Sequence, residues 1–121
     1  MSDVVYFARD MLFTSKIREV AKQLGVTVEA ARDATALSQA VAQGARLVIV
    51  DLRLDGALDA LSAVTSDPAS ADVPTVGFID HEKVEVMDEA RARGCREVLT
   101  KGQFSHALPR LLNQLLAAPG T

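Results

Sequence analysis

Four aliphatic residues, LVIV (47–50), run straight into a carboxylate, Asp51. A segment this short and this uniformly apolar reads as a strand covered on both faces. Such strands belong to parallel sheets, whose crossover connections lay helices over each face. A chain containing this segment therefore has to supply further short strands, each followed by an amphipathic helix.

It does so along its whole length. VVYFA (4–8) is a second short run, rich in β-branched and aromatic residues. From Phe13 the period changes: Phe13, Ile17, Val20 and Leu24 share one helical face, Lys16, Arg18, Glu19, Lys22 and Gln23 point elsewhere, and Gly25 ends the helix. VTVEAA (26–31), RLVIVDL (46–52), TVGFI (75–79) and EVLT (97–100) read as the remaining strands. ATALSQAVAQG (34–44), GALDALSAVTS (56–66), EKVEVMDEARARG (82–94) and FSHALPRLLNQLLA (104–117) read as the remaining helices, with DPASADVP (67–74) as a loop. In the fourth helix Val84, Met87, Ala90 and Ala92 are expected to face the sheet. Pro109 calls for a first-turn position or a kink, because it has no N–H to donate.

Five strands alternating with five helices predict an α/β fold, a single doubly wound parallel sheet in three α/β/α layers. The 121 residues suit one domain, residues 1–121, with 118–121 as a flexible tail.

Charge and composition exclude several functions. The formal net charge of −3 disfavours direct nucleic-acid binding, which needs an excess of Lys and Arg on one face. Cys95 is the only cysteine, so no internal disulfide forms and no two-cysteine metal site exists. No segment has the roughly 20 apolar residues of a membrane span, and the start of the chain is unlike a secretory signal. A cytoplasmic protein without membrane contact is expected. No Gly-rich phosphate loop is present, and the isolated His81 and His106 form no zinc spacing with Cys95.

In open parallel sheets, ligands bind beyond the carboxyl ends of the strands. Asp51 ends the third strand, and Lys101, in VLTKGQF (98–104), follows the fifth. In a sheet ordered 2-1-3-4-5 these two side chains can converge. With that Asp and Lys in place, the chain resembles a response-regulator receiver domain over essentially its whole length, through LVIVDLRL (47–54) and GCREVLTK (94–101). The resemblance implies the flavodoxin-like strand order. It also implies Asp51 as phosphoacceptor, Lys101 as the clamp on the phosphoryl group, and an acidic pair after the first strand that holds Mg²⁺.

Several positions depart from that pattern. Counting back from Gly25 puts Ala8 and Arg9 where a receiver has its two acids, and a shift of one residue gives Arg9 and Asp10. An arginine in place of an acid removes an oxygen ligand and repels the cation, so only Asp10 and Asp51 remain for Mg²⁺. Arg9 is instead expected to reach Asp51 in a bidentate contact and occupy the place a metal would take. At the end of the fourth strand, Ile79 stands where receivers carry a hydroxyl. Val98 stands at the aromatic switch position, and Gly102 replaces the usual Pro.

These departures imply a pseudo-receiver: a signal-transduction module, not an enzyme, that acts through protein–protein contact with its phosphoacceptor chemistry impaired or absent, and needs no cofactor. The implied partners are a histidine kinase or an effector. The face built from residues 82–94, 97–100 and 104–117 is the candidate surface for output or for a homodimer. Two other readings stay open: a phosphorylatable receiver in which Asp10 and Asp51 bind Mg²⁺, and a small flavodoxin-like cofactor-binding protein. Each singled-out residue also has a plainer role. Asp51 can cap the turn after its strand, Asp10 can cap a helix, Arg9 and Lys101 can be solvated charges, and Cys95 can be a small buried residue.

Overall fold

The computed structural model describes residues 2–117. The tail expected at 118–121 lies outside the described residues. Ten elements alternate along the chain: β1 (Val4–Phe7), α1 (Met11–Leu24), β2 (Val28–Ala30), α2 (Ala34–Ala42), β3 (Leu47–Asp51), α3 (Ala57–Ser66), β4 (Thr75–Ile79), α4 (Val84–Ala92), β5 (Glu97–Thr100) and α5 (Lys101–Ala117). All strand pairs are parallel and the sheet order is β2-β1-β3-β4-β5. This is the α/β architecture expected from the alternation.

The period-2 geometry of the strands sorts their side chains into two cores. Val5, Phe7, Val48, Val50, Ile79 and Val98 face α2, α3 and α4, where Leu37, Val41, Leu61, Val64 and Ala90 meet them. Val4, Tyr6, Leu47, Ile49, Val76 and Phe78 face α1 and α5, against Phe13, Ile17, Phe104, Leu108 and Leu112. Full burial of an aliphatic or aromatic side chain is worth about 1.5–3 kcal/mol. With both faces covered, β3 has no polar position until its last residue, Asp51, and every one of its residues is buried.

Local signals account for most boundaries. Asp10 caps α1 by accepting from the Leu12 N–H, and Gly25 ends that helix in the left-handed region at φ 73°. Asp33 caps α2 through the Ala36 N–H. On β4, Gly77 leaves room for Leu52: a Cβ built there would lie 3.0 Å from the Leu52 side chain, so the residue after Asp51 packs onto bare backbone.

Three expectations need correction. Val84 is 57% exposed and Ala92 is exposed, while Val86 joins Met87 and Ala90 against the core, so the buried stripe of α4 is 86, 87 and 90. α4 starts at Val84 rather than at Glu82, so Val84 opens the helix at its exposed end. Of the two outcomes expected for Pro109, the first-turn position is excluded: it lies well inside α5, leaving the Ser105 carbonyl without its helical N–H partner. Finally, α5 begins at Lys101, three residues ahead of the expected start, for a reason that belongs to the site.

Candidate functional site

Parallel pairing brings the carboxyl ends of β1, β3, β4 and β5 to one edge of the sheet. Asp51 is paired in register with Phe78, and Ile79 with Thr100. Asp51, Asp80 and Lys101 thus leave the ends of three adjacent strands together. Asp10, capping α1, stands on the β1 side.

Asp51 is only 5% exposed. Its Oδ1 accepts one hydrogen bond, from the Arg53 backbone N–H at 3.0 Å, and its carbonyl accepts from Leu54 N at 3.2 Å. The carboxylate therefore closes the turn that follows its own strand, the plainer role the sequence allowed. Burial is the largest influence on its acidity and pushes the pKa above the ordinary carboxylate value. The Arg53 amide and the charges of Lys101 and Arg53 pull the other way, and Asp10 adds to the rise.

Beside Asp51 lies an aromatic floor. The ring of Phe78 stacks on Phe104, with centroids 4.4 Å apart and an interplanar angle of 14°, and Phe13 packs 5.1 Å from Phe78. These three rings tie β4, α1 and α5 together beneath the strand ends. They supply apolar surroundings of the kind that disfavour a charged carboxylate.

Lys101 does not pair with Asp51. Its Nζ lies 3.1 Å from Asp80 Oδ1, and it passes over the Phe13 ring at 5.7 Å from the centroid. The other oxygen of Asp80 takes Arg53, with Nη1 at 3.4 Å from Oδ2. One carboxylate thus bridges two cations from separate connections. The Lys101 hydrogen bond is the main cause that holds the Asp80 pKa below its usual value.

The position of Lys101 follows from a capping box. Gln103 N donates to Thr100 Oγ1 at 3.2 Å, and Thr100 N donates to Gln103 Oε1 at 3.0 Å. Thr100 is both the last residue of β5 and the cap of α5, so Lys101 becomes the first helical residue with no loop between. Among the described residues every peptide bond is trans, including the one before Gly102.

The acidic-pocket region opens away from Asp51 at its central position. Ala8 is buried and offers no oxygen. Arg9 points to the β2 side: its Nη2 donates to the Arg32 carbonyl at 2.7 Å, and its guanidinium lies 6.0 Å from the Phe7 ring centroid. The idea of Arg9 as a metal substitute on Asp51 is thereby removed. Asp10 serves as the α1 cap through the Leu12 N–H at 2.9 Å. At the switch-equivalent positions, Ile79 and Val98 are both buried in the core beneath α3 and α4.

Two participants escaped the sequence reading, Asp80 as an ion-pair partner and Arg53. Asp80 follows β4 as Asp51 ends β3, so the strand-end rule that singled out Asp51 applies to it equally. The T-x-x-Q spacing of Thr100 and Gln103 is likewise visible in the sequence and places Lys101. His81 is exposed beside Glu82, and Cys95 is buried, its thiol pKa raised chiefly by burial.

No family model and no curated protein matches the chain. Solved structures do match. A response regulator from Hahella chejuensis superposes with a TM-score of 0.80 at 20% identity, covering 98% of this chain and 97% of that one. The receiver domain of NtrX from Brucella abortus gives 0.77 at 20% identity, covering 97% and 100%. The receiver domain of the sensor histidine kinase PA1611 from Pseudomonas aeruginosa, with a magnesium ion coordinated in its active-site cleft, gives 0.77 at 15% identity, covering 97% and 98%. In strand order, helix placement and extent, this chain has the fold of the response-regulator receiver domains.

Proposed function

We propose that this chain is a receiver-like signal-transduction module that works through protein–protein contact and in which phosphoacceptor chemistry is impaired. One observation carries the reading: Lys101, the cation that would offset charge on a phosphorylated Asp51, is engaged by Asp80 at 3.1 Å. A phosphoacceptor has to be an ionised nucleophile in a site that neutralises the incoming phosphoryl oxygens. Asp51 instead has one backbone donor and no hydroxyl from Ile79.

Magnesium, implied by the receiver fold and present in the PA1611 domain, supplies charge neutralisation for phosphoryl transfer where it is bound. The residues of this chain do not fit it well. Among the described residues no three His, Cys, Asp or Glu side chains come together to hold a metal ion. Asp10 is committed to the Leu12 N–H, Ala8 has no ligand atom, and Arg9 faces Arg32. Two carboxylates, one of them buried with a raised pKa, make a poor site for a cation that gives up water reluctantly.

The proposed contact surface is the face of α4, β5 and α5, with a partner in a signalling pathway such as a histidine kinase or an effector. Backbone-amide NMR tests the chemistry. Mg²⁺ followed by beryllofluoride, an acyl-phosphate mimic, is expected to leave the amides around Asp51 and Lys101 unmoved. Shifts centred there, and absent in Asp51→Asn, would establish a phosphorylatable receiver instead.

A further inference from the structure

Asp80 sits in an unusual electrostatic position. Its side chain, 26% exposed, touches Lys101 at the start of α5 and Arg53 in the turn after β3. Two cations delivered by different connections thus clamp one small anion, one on each carboxylate oxygen. A second observation agrees. Lys101 is the first residue of α5, where the helix dipole disfavours positive charge, and no acidic residue occupies the first turn of that helix. Asp80 supplies an anion beside Lys101 from outside the helix.

We infer that Asp80 is an internal ligand of this clamp, a positioning residue that keeps Lys101 and Arg53 from binding an external oxyanion of the phosphate type beside Asp51. The inference deepens the proposed function and rests on its reading of the pocket as silenced. It assigns the silence to an occupied clamp as well as to missing ligands.

The test is an inorganic phosphate titration followed by the amide shifts of residues 51–54 and 100–103. Asp80→Asn is expected to bind phosphate about tenfold more tightly than the natural protein, the size of one charge-assisted hydrogen bond. Asp80→Ser serves as a second release variant should the first fold poorly. In Asp80→Asn combined with Lys101→Met the gain is expected to vanish. Glu82→Gln removes an equal charge two residues away and is expected to change affinity by less than about twofold, the scale of a screened exposed charge. Three results would overturn the inference: no gain in either release variant, an equal gain in Glu82→Gln, or a gain that survives Lys101→Met. The beryllofluoride experiment on the natural protein judges the pseudo-receiver reading separately, since it does not depend on how the Asp80 variants behave.

Discussion

Asp80 and Lys101 meet at 3.1 Å across the ends of β4 and β5, and the same carboxylate reaches Arg53 at 3.4 Å. Each of the three side chains comes from a different strand-end connection, so the contact staples the ligand edge of the sheet. The staple is made of partly exposed groups, and its strength is set by ionisation.

Its pH dependence follows. The folded pKa of Asp80 is depressed below the ordinary 3.8, first by the Lys101 hydrogen bond. A depressed carboxylate contributes stability that is present above the unfolded value and lost as pH falls through the folded one. Thermal melts between about pH 5 and about pH 2 should therefore fall more steeply for the natural protein than for Asp80→Asn. Parallel curves would mean that Asp80 gains nothing from its two cations.

Asp51 has the opposite sign. Burial raises its pKa, so its contribution to stability is favourable below the unfolded value and is lost as pH rises through the folded one. Asn keeps the acceptor for the Arg53 N–H without the charge. Asp51→Asn should be more stable near pH 7 by about 1 kcal/mol, or roughly 4 °C in Tm. The advantage should shrink as the melts are repeated toward about pH 4. A variant less stable than the natural protein at neutral pH would show that the ionised carboxylate is compensated after all.

The capping box at the start of α5 makes a reciprocal pair, so its two halves should not add. Thr100→Ala is expected to cost about 1 kcal/mol in urea denaturation. Gln103→Ala should cost less, and the double variant should cost measurably less than the two together. Strict additivity would mean that the two hydrogen bonds act independently.

How far the sequence could be read depended on the kind of signal. β4 and β5 end where expected because TVGFI and EVLT are dense in β-branched and apolar residues and are bounded by Pro74 and by turn residues. The ends of β2 were overextended because Val26 is buried as a loop residue, supplying a strand-like apolar side chain without strand pairing. The start of α5 was missed because Lys101, Gly102 and Gln103 have no apolar period, and their order comes from two hydrogen bonds instead. In α4 three valines and methionines within four positions, Val84, Val86 and Met87, make periodicity ambiguous, and only packing shows that Val84 is the outward one.

The site was legible in its members and less so in its pairings. Strand-end position marks Asp51 and Lys101 without reference to any partner. Which carboxylate a lysine selects is decided by a few ångströms of backbone placement and by the relative burial of the competitors. Asp80 is partly exposed and its pKa is lowered, first by the Lys101 hydrogen bond, whereas burial raises that of Asp51. The direction of Arg9 was equally hidden, because the Arg32 carbonyl that receives it belongs to a loop distant in sequence.

The missing loop between β5 and α5 has a mechanical consequence. Where most strand-to-helix junctions have a few residues that absorb motion, Thr100 is the end of one element and the hinge pin of the next. Strand and helix therefore share one continuous run of backbone, and a displacement at Lys101 meets no loop residues that could absorb it before it reaches α5.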